Sequence, residues 1–382
     1  MHPERLHILF LCGWYPSKVL PNNGDFIERH AQAVSLRHRV SVLHIITDPD
    51  AKKDISIERN VSNNVTSYIA YLKKTPSRIQ KGRLFFKAFK QLLTTIGSFD
   101  LVHVNKLYPF GLLALYLKFK YKIPFIISEH WTGYHAPLSK ALKLPELLLS
   151  KHIAKKASYL CPVSKDLENS MRALGLQGRY CPVPNVVDTD RFIPKQSENS
   201  KLTLVHISSM LDAHKNVSGI LRTLDKLSSY RTDFKLLLVG ENSTRYQSLA
   251  ASLQLTPYIE FHDHVTHERV IEFLQSSDVF VLFSNYENLP CVILESFSCG
   301  TPVISTDVGG ISEFFPENFG QLIPVNDETA LLDFLRHFKP VSSQQQRAMH
   351  AYAQRLFSYQ SIANQFTELY YSSLSHAANL SD

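Results

Sequence analysis

Short apolar runs and amphipathic stretches alternate through the first half of the chain. The runs at 6–12, 40–46, 65–72, 101–104, 125–128 and 159–163 predict strands. Between them, 26–37, 79–96, 108–119, 138–156 and 165–174 carry apolar residues at helical spacing. Strand and helix in strict alternation predict an α/β fold with a doubly wound parallel sheet. Near Asn185 the pattern gives way to a polar stretch, 194–201, that reads as a linker. A second series follows, with strands expected at 203–207, 235–239, 258–261, 279–283, 302–305 and 321–323. Its helices are expected at 217–227, 245–253, 268–275, 291–299 and 328–337, and the tail from 343 to 375 is helical with no strand. Two such sheets in tandem imply a cleft between two domains, 1–187 and 188–357, with a tail at 358–382. Ligands of these sheets sit beyond the carboxyl ends of the strands.

The chain has 382 residues, more than one core usually serves, which agrees with two domains. No apolar run approaches the length of a membrane-spanning helix. The apolar run after Arg5 could open a signal peptide, but Trp14, Tyr15 and Pro16 end it without a small-residue cleavage site, so it reads as a first strand. Five cysteines with no C-x-x-C spacing point to a reducing cytoplasm and away from disulfide or zinc frameworks. Charge is divided unevenly: residues 1–187 hold 27 Lys and Arg against 12 Asp and Glu, whereas 188–382 hold 14 against 22. That asymmetry predicts different partners for the two halves.

Candidate chemistry concentrates after the predicted strand at 279–283. A loop, 284–289, leads into a helix with Pro290 at its start. The backbone of Asn288, Leu289, Pro290, Cys291 and Val292 then forms a helix N-terminus, whose amides and dipole suit a diphosphate without a metal. Glu287 precedes this anion site and Glu295 lies within the helix, on the face of Cys291. A carboxylate accepts two hydrogen bonds from a vicinal diol, so the two acids suit sugar hydroxyls. By spacing alone they fit equally a loop acid and a solvent-facing helix residue.

The surrounding string resembles the donor-site signature of the family 4 retaining glycosyltransferases: approximately S-x-x-E-G-x-P-x-x-x-x-E-A, then C-G-x-P-V and G-G-x-x-E. Here it stands as Ser284, Glu287, Pro290, Glu295, Cys299-Gly300-Thr301-Pro302-Val303 and Gly309-Gly310-Ile311-Ser312-Glu313. It departs at Asn288, where Gly is usual, and at Ser296, where Ala is usual. The segment from His206 to Asn216 is similar to the family's G-R-L-x-x-x-K-G, with Lys215 as the phosphate-binding lysine and Met210 where Arg is usual. Cys12-Gly13-Trp14-Tyr15-Pro16 with Gly24, the run from Ser128 to Gly133, and Asn185-Val186-Val187-Asp188 with Phe192 also resemble family motifs.

The resemblance implies a GT-B fold, two Rossmann-like domains with the tail helix crossing back to the first. It implies transfer of a sugar from a nucleoside diphosphate with retention, by a front-face route without an enzymic nucleophile. Glu287 would then hold the sugar's hydroxyl edge, Glu295 the ribose, and Lys215 with the helix amides the leaving diphosphate. His130 would bond a sugar hydroxyl, Gly24 would allow close backbone approach, and the base would pack near His264 and Val265. No metal or other cofactor is expected.

Residues 73–90 carry seven basic residues and no acid, interleaved with Leu84, Phe85, Phe86 and Phe89. This reads either as a surface for anionic membrane or as a charged helix face over an ordinary core stripe. With the basic first half it favours peripheral contact with a membrane bearing a glycan or lipid-linked acceptor, as in lipopolysaccharide or other cell-surface polysaccharide synthesis. No nucleic-acid module is recognised. A nucleotide-sugar epimerase of the same fold and a non-catalytic sugar-nucleotide-binding protein are the alternatives.

Overall fold

In a computed structural model, residues 5–195, 199–263 and 265–378 are described. The chain divides into two compact units. The first runs to Val186 and resumes at Tyr359, and the second spans Val187–Ser358.

The first unit holds strands β1 (His7–Cys12), β2 (Arg39–Asp48), β3 (Ile55–Ser62), β4 (Val65–Lys73), β5 (Leu101–Asn105), β6 (Phe125–Glu129) and β7 (Tyr159–Pro162), in the sheet order β3-β4-β2-β1-β5-β6-β7. Its core forms where Ile8, Phe10 and Val42 meet Ile27, Ala31, Phe366 and Tyr370. The last two belong to the helix Tyr359–Ala378, which lies against Asp25–Ser35. There the Tyr359 hydroxyl donates to Gln32 Oε1 at 2.9 Å, and the Tyr370 hydroxyl and His103 Nδ1 share a hydrogen bond at 2.7 Å. The tail therefore completes the first unit's core, as the crossing helix expected from sequence.

The second unit holds β8 (Leu202–Ile207), β9 (Phe234–Val239), β10 (Ile259–His262), β11 (Val279–Leu282), β12 (Val303–Thr306) and β13 (Gly320–Ile323), all parallel, in the order β10-β9-β8-β11-β12-β13. Leu204, Leu236, Leu238, Val281 and Ile304 build its core with Val217, Leu221 and Leu224 of the helix Val217–Ser228.

Four details differ from the sequence reading. Strand β3 was not expected, and it makes the first sheet mixed, because it pairs antiparallel with β4. It is an edge strand, mostly exposed, whose charged residues hide the apolar signal; Asn63 and Asn64, both at positive φ, turn the hairpin. The helix expected over 138–156 begins only at Leu144, since Pro145 fits a first turn but not an interior; 138–141 form a separate short 3₁₀ turn. Pro290 sits just before the helix Cys291–Ser298 rather than inside its first turn. Finally, the chain passes between units at Val186–Val187, ahead of the polar stretch 194–201, of which 196–198 lie outside the described residues.

Candidate active site

In the second sheet the chain starts at β8, winds outward through β9 to β10, then returns to place β11 on the other side of β8. The connections leave in opposite directions from the carboxyl ends of β8 and β11, which opens a crevice at that switch point. Lys215 follows β8 in the turn Asp212–Lys215, and Glu287 follows β11 in the loop before the helix Cys291–Ser298. The two meet there: Lys215 Nζ donates to Glu287 Oε1, and Ser284 Oγ donates to the same oxygen at 2.7 Å. The side chains are only 17% and 9% exposed. The loops are laced together by the Asn285 amide donating to the His214 carbonyl at 2.7 Å, and by Asn285 Nδ2 donating to the Ala213 carbonyl at 3.1 Å. Both hydrogen bonds fall on Oε1, and the ion pair offsets the charge of the Glu287 carboxylate.

The helix Cys291–Ser298 starts beside this pair. Its first-turn amides, those of Cys291 and Val292, have no carbonyl one turn earlier within the helix, and helix ends of this kind suit anions. Glu295 is 4% exposed, and its Oε1 lies 3.8 Å from His267 Nε2, whose ring packs edge-on to Phe192. Asn288, the departure from the family's usual Gly, is not among the residues at positive φ. The loop therefore needs no glycine there, and no unusual φ of Asn is called on.

Glycine is required nearby instead. Gly309 has φ +61°, and a Cβ on it would lie 2.2 Å from the Glu287 carbonyl oxygen. Its neighbour Gly310 donates its amide to the Asn288 carbonyl at 2.8 Å. Gly309→Ala is expected to push the Glu287 loop away from Lys215 and lower turnover at this site at least roughly tenfold, with the circular dichroism spectrum unchanged. Unaltered turnover would show that the loop position is irrelevant.

Met210 is fully buried in the core, at φ +57°, and its carbonyl accepts from the Tyr246 hydroxyl at 2.9 Å. An arginine directed along that side chain would bury a charge, which accounts for an apolar residue here. Val265 lies just beyond β10, three strands from β11 or roughly 14 Å at ordinary strand spacing. His264 is outside the described residues. Among the described residues no group of three or more His, Cys, Asp or Glu is placed to hold a metal ion.

His130 and Gly24 stand in the first unit. His130 follows β6, and its ring packs 4.7 Å from Phe26 and 5.3 Å from His30. Burial, with His30 and His103 nearby, holds its pKa well below the usual histidine range, so the ring is neutral and can both donate to and accept from a hydroxyl. Glu129 fixes the loop: its carboxylate accepts from the amides of Leu107, His130 and Trp131 at 2.8, 2.9 and 3.0 Å. Gly24, at φ +83°, caps the helix Asp25–Ser35. The backbone whose close approach it permits is that of Trp14 and Tyr15, within 2.9 Å of a would-be Cβ.

The sequence reading missed Lys106. It follows β5 at φ +90°, beside the end of β1, which is the switch point of the first sheet. Its ammonium lies 4.1 Å from the Trp14 ring centre and 5.5 Å from that of Trp131. Burial lowers its pKa while Glu129 opposes the shift. The available signal was positional, a lysine directly after a predicted strand.

Two family models match in tandem, "Glycosyltransferase Family 4" over residues 27–191 and "Glycosyl transferases group 1" over residues 188–355. The chain is similar to TuaC of Bacillus subtilis, named as a glycosyltransferase of teichuronic acid biosynthesis, with 22% identity over 358 residues, 87% of this chain and 89% of that one. Among solved structures, a sucrose-phosphate synthase of Thermosynechococcus elongatus gives a TM-score of 0.78 at 19% identity, covering 97% of this chain and 100% of that chain. HepE of Anabaena in complex with UDP-glucose gives 0.71 at 16% identity, covering 96% and 100%. At such identities the structures establish the shared fold.

Proposed function

The chain belongs to the family 4, group 1 glycosyltransferases, and on that premise we propose that it moves a sugar from a nucleoside diphosphate sugar to a glycan or lipid-linked acceptor of a cell-surface polymer or glycolipid. The observation that carries this reading is the Lys215–Glu287 pair at a switch point, beside a helix N-terminus. Lys215 and the Cys291 and Val292 amides suit a diphosphate that gains charge as it leaves, and Glu287 Oε2 suits a sugar hydroxyl. Glu295 is assigned to the ribose and the 262–265 segment to the base. The bound UDP-glucose of HepE supports a nucleotide-sugar donor for this fold. His130 is the first unit's candidate for a hydroxyl of the transferred sugar.

Transfer proceeds with retention in this reading. In this reading no carboxylate serves as nucleophile: Lys215 and Ser284 bind Glu287 Oε1, and Oε2 holds a hydroxyl of the sugar. The leaving phosphate takes the acceptor's proton on the same face. Lysine and amide dipoles supply the charge stabilisation, so turnover is proposed to be independent of divalent metal. Chelator should leave the rate unchanged; a loss that only a divalent cation restores would overturn that point.

The enzyme is placed in the cytoplasm, with 73–90 facing an anionic membrane surface. Among the described residues no helix is long and apolar enough to cross a membrane. The donor test is a thermal-shift screen of UDP- and GDP-sugars, since a ligand of the native state raises Tm. Glu295→Ala should weaken the nucleotide roughly tenfold or more, through loss of charge-assisted hydrogen bonds to the ribose. Undiminished nucleotide affinity in that variant would remove the ribose assignment.

A further inference from the structure

Each unit places a lysine beyond a strand at the switch point of its sheet. In the second unit Lys215 is neutralised by Glu287. Lys106, after β5 in the first, has no such partner. Among the described residues no oxygen bonds its half-buried ammonium; burial lowers its pKa, and Glu129 opposes the shift through space. The Glu129 carboxylate itself is turned to the amides of Leu107, His130 and Trp131. What the ammonium meets instead is aromatic, the Trp14 ring at 4.1 Å and the Trp131 ring at 5.5 Å from their centres.

This setting is held in place by its surroundings. The Lys106 amide donates to the Ser128 carbonyl at 3.2 Å, and the Gly13 amide donates to the Asn105 carbonyl at 3.0 Å. Pinned there, Lys106 keeps φ +90°, a strained value for a residue with a Cβ. Strain of this kind persists where neighbours over-determine the backbone, and it gathers at ligand clamps. A Cβ on Gly133 would run into the Trp131 ring, so this glycine is what lets the indole lie where it does. Trp131 then packs edge-on to Tyr134 at 5.3 Å, and Trp14 edge-on to Phe26 at 6.4 Å. The ring faces attract the cation, but they leave the three N–H donors of the ammonium without an oxygen acceptor.

We propose that Lys106, flanked by Trp14 and Trp131, seats an anionic group of the sugar acceptor, a carboxylate or a phosphate. That the ligand is the acceptor rests on the transferase reading above; the charge of the ligand is read from the site itself. A half-buried cation short of oxygen partners is best offset by a ligand that brings its own negative charge. A neutral sugar would leave that charge unmet, and the donor's diphosphate is assigned to Lys215 and the helix amides of the second unit. The surplus of basic residues in 1–187, 27 against 12 acids, favours the approach of an acidic acceptor to this unit.

Trp14 and Trp131 are the two tryptophans of the chain, so its intrinsic fluorescence reports on this place directly. The test is titration of the full chain, without donor, with glucuronate, with inorganic phosphate and with glucose, at an ionic strength held constant with sodium chloride. Glucuronate or phosphate should give a saturating change in emission, and the tighter of the two identifies the acceptor's anion. Glucose should give none. Lys106→Met should weaken anion binding at least roughly tenfold, Lys106→Arg should keep it, and Tm should not fall in either. No saturable response to either anion in the wild type, an equal response to glucose, or a response that survives Lys106→Met undiminished would overturn the proposal. So would a loss of nucleoside diphosphate affinity in Lys106→Met as large as in Lys215→Met, because the anion would then be the donor's. None of these measurements needs turnover, so an inactive enzyme would count against the transferase reading alone.

Discussion

Glu287→Gln is expected to lower sugar transfer by roughly a hundred- to a thousandfold while nucleoside diphosphate affinity changes only a few-fold. Glutamine keeps the shape of the side chain and can still accept from Ser284 Oγ, now 2.7 Å away. What it loses is the charge that pairs with Lys215 and the two-oxygen clamp for a vicinal diol. Lys215→Met should reduce the rate to a similar extent and also weaken the diphosphate, because the ammonium acts on the leaving group. Alanine is the poorer substitution at Glu287. It adds a cavity to a cost that all three substitutions share: with the pair only 17% and 9% exposed, removing one charge strands the other at about 3–5 kcal/mol, so Tm is read beside each rate. The check is kcat for transfer beside the Kd for nucleoside diphosphate. Equal losses in both for Glu287→Gln and for Glu295→Gln would reject the division of the donor between them.

The second large effect is on stability. His30 in the first unit and His206 in the second are fully buried, and burial pushes each pKa down to about 4. His206 is held by the Val281 carbonyl and Ser208 Oγ, both at 2.8 Å; His30 faces the Pro184 carbonyl at 3.1 Å. The folded values lie below the unfolded value near 6.5, so the unfolded chain takes up these protons first as pH falls. The stability is therefore complete above about pH 6.5, lost between there and about pH 4, and level below. The loss amounts to about 3 kcal/mol for each residue. Glu129 tempers it, since burial raises its folded pKa and it binds a proton before the unfolded chain does. Urea midpoints at about pH 7.5 and about pH 4.5 should differ strongly, and His206→Gln should shrink the difference. Equal midpoints would contradict the assignment of neutral buried rings.

Much of the fold was legible because parallel strands covered on both faces are nearly continuous apolar runs. Ile8 to Cys12 and Val279 to Leu282 announce themselves in this way. β3 did not, because an exposed edge strand has no buried face to write a pattern. The loop of Glu287 was legible as a string of residue types after a strand. Its support was not: the contact of Gly309 with the Glu287 carbonyl and the ties from Asn285 to His214 and Ala213 are long-range packing that spacing cannot show. Lys106 was hidden for a related reason. A single lysine in a loop gains meaning only when β1 and β5 bring Trp14 beside it.

The most direct measurement is release of nucleoside diphosphate from UDP-, GDP- and ADP-sugars by the wild type, Glu287→Gln and Lys215→Met. The account predicts that one base class gives transfer or slow donor hydrolysis with the wild type, and that both variants lose it by roughly two orders of magnitude or more. Epimerised donor without release, binding without turnover, or release that persists undiminished in both variants would contradict it.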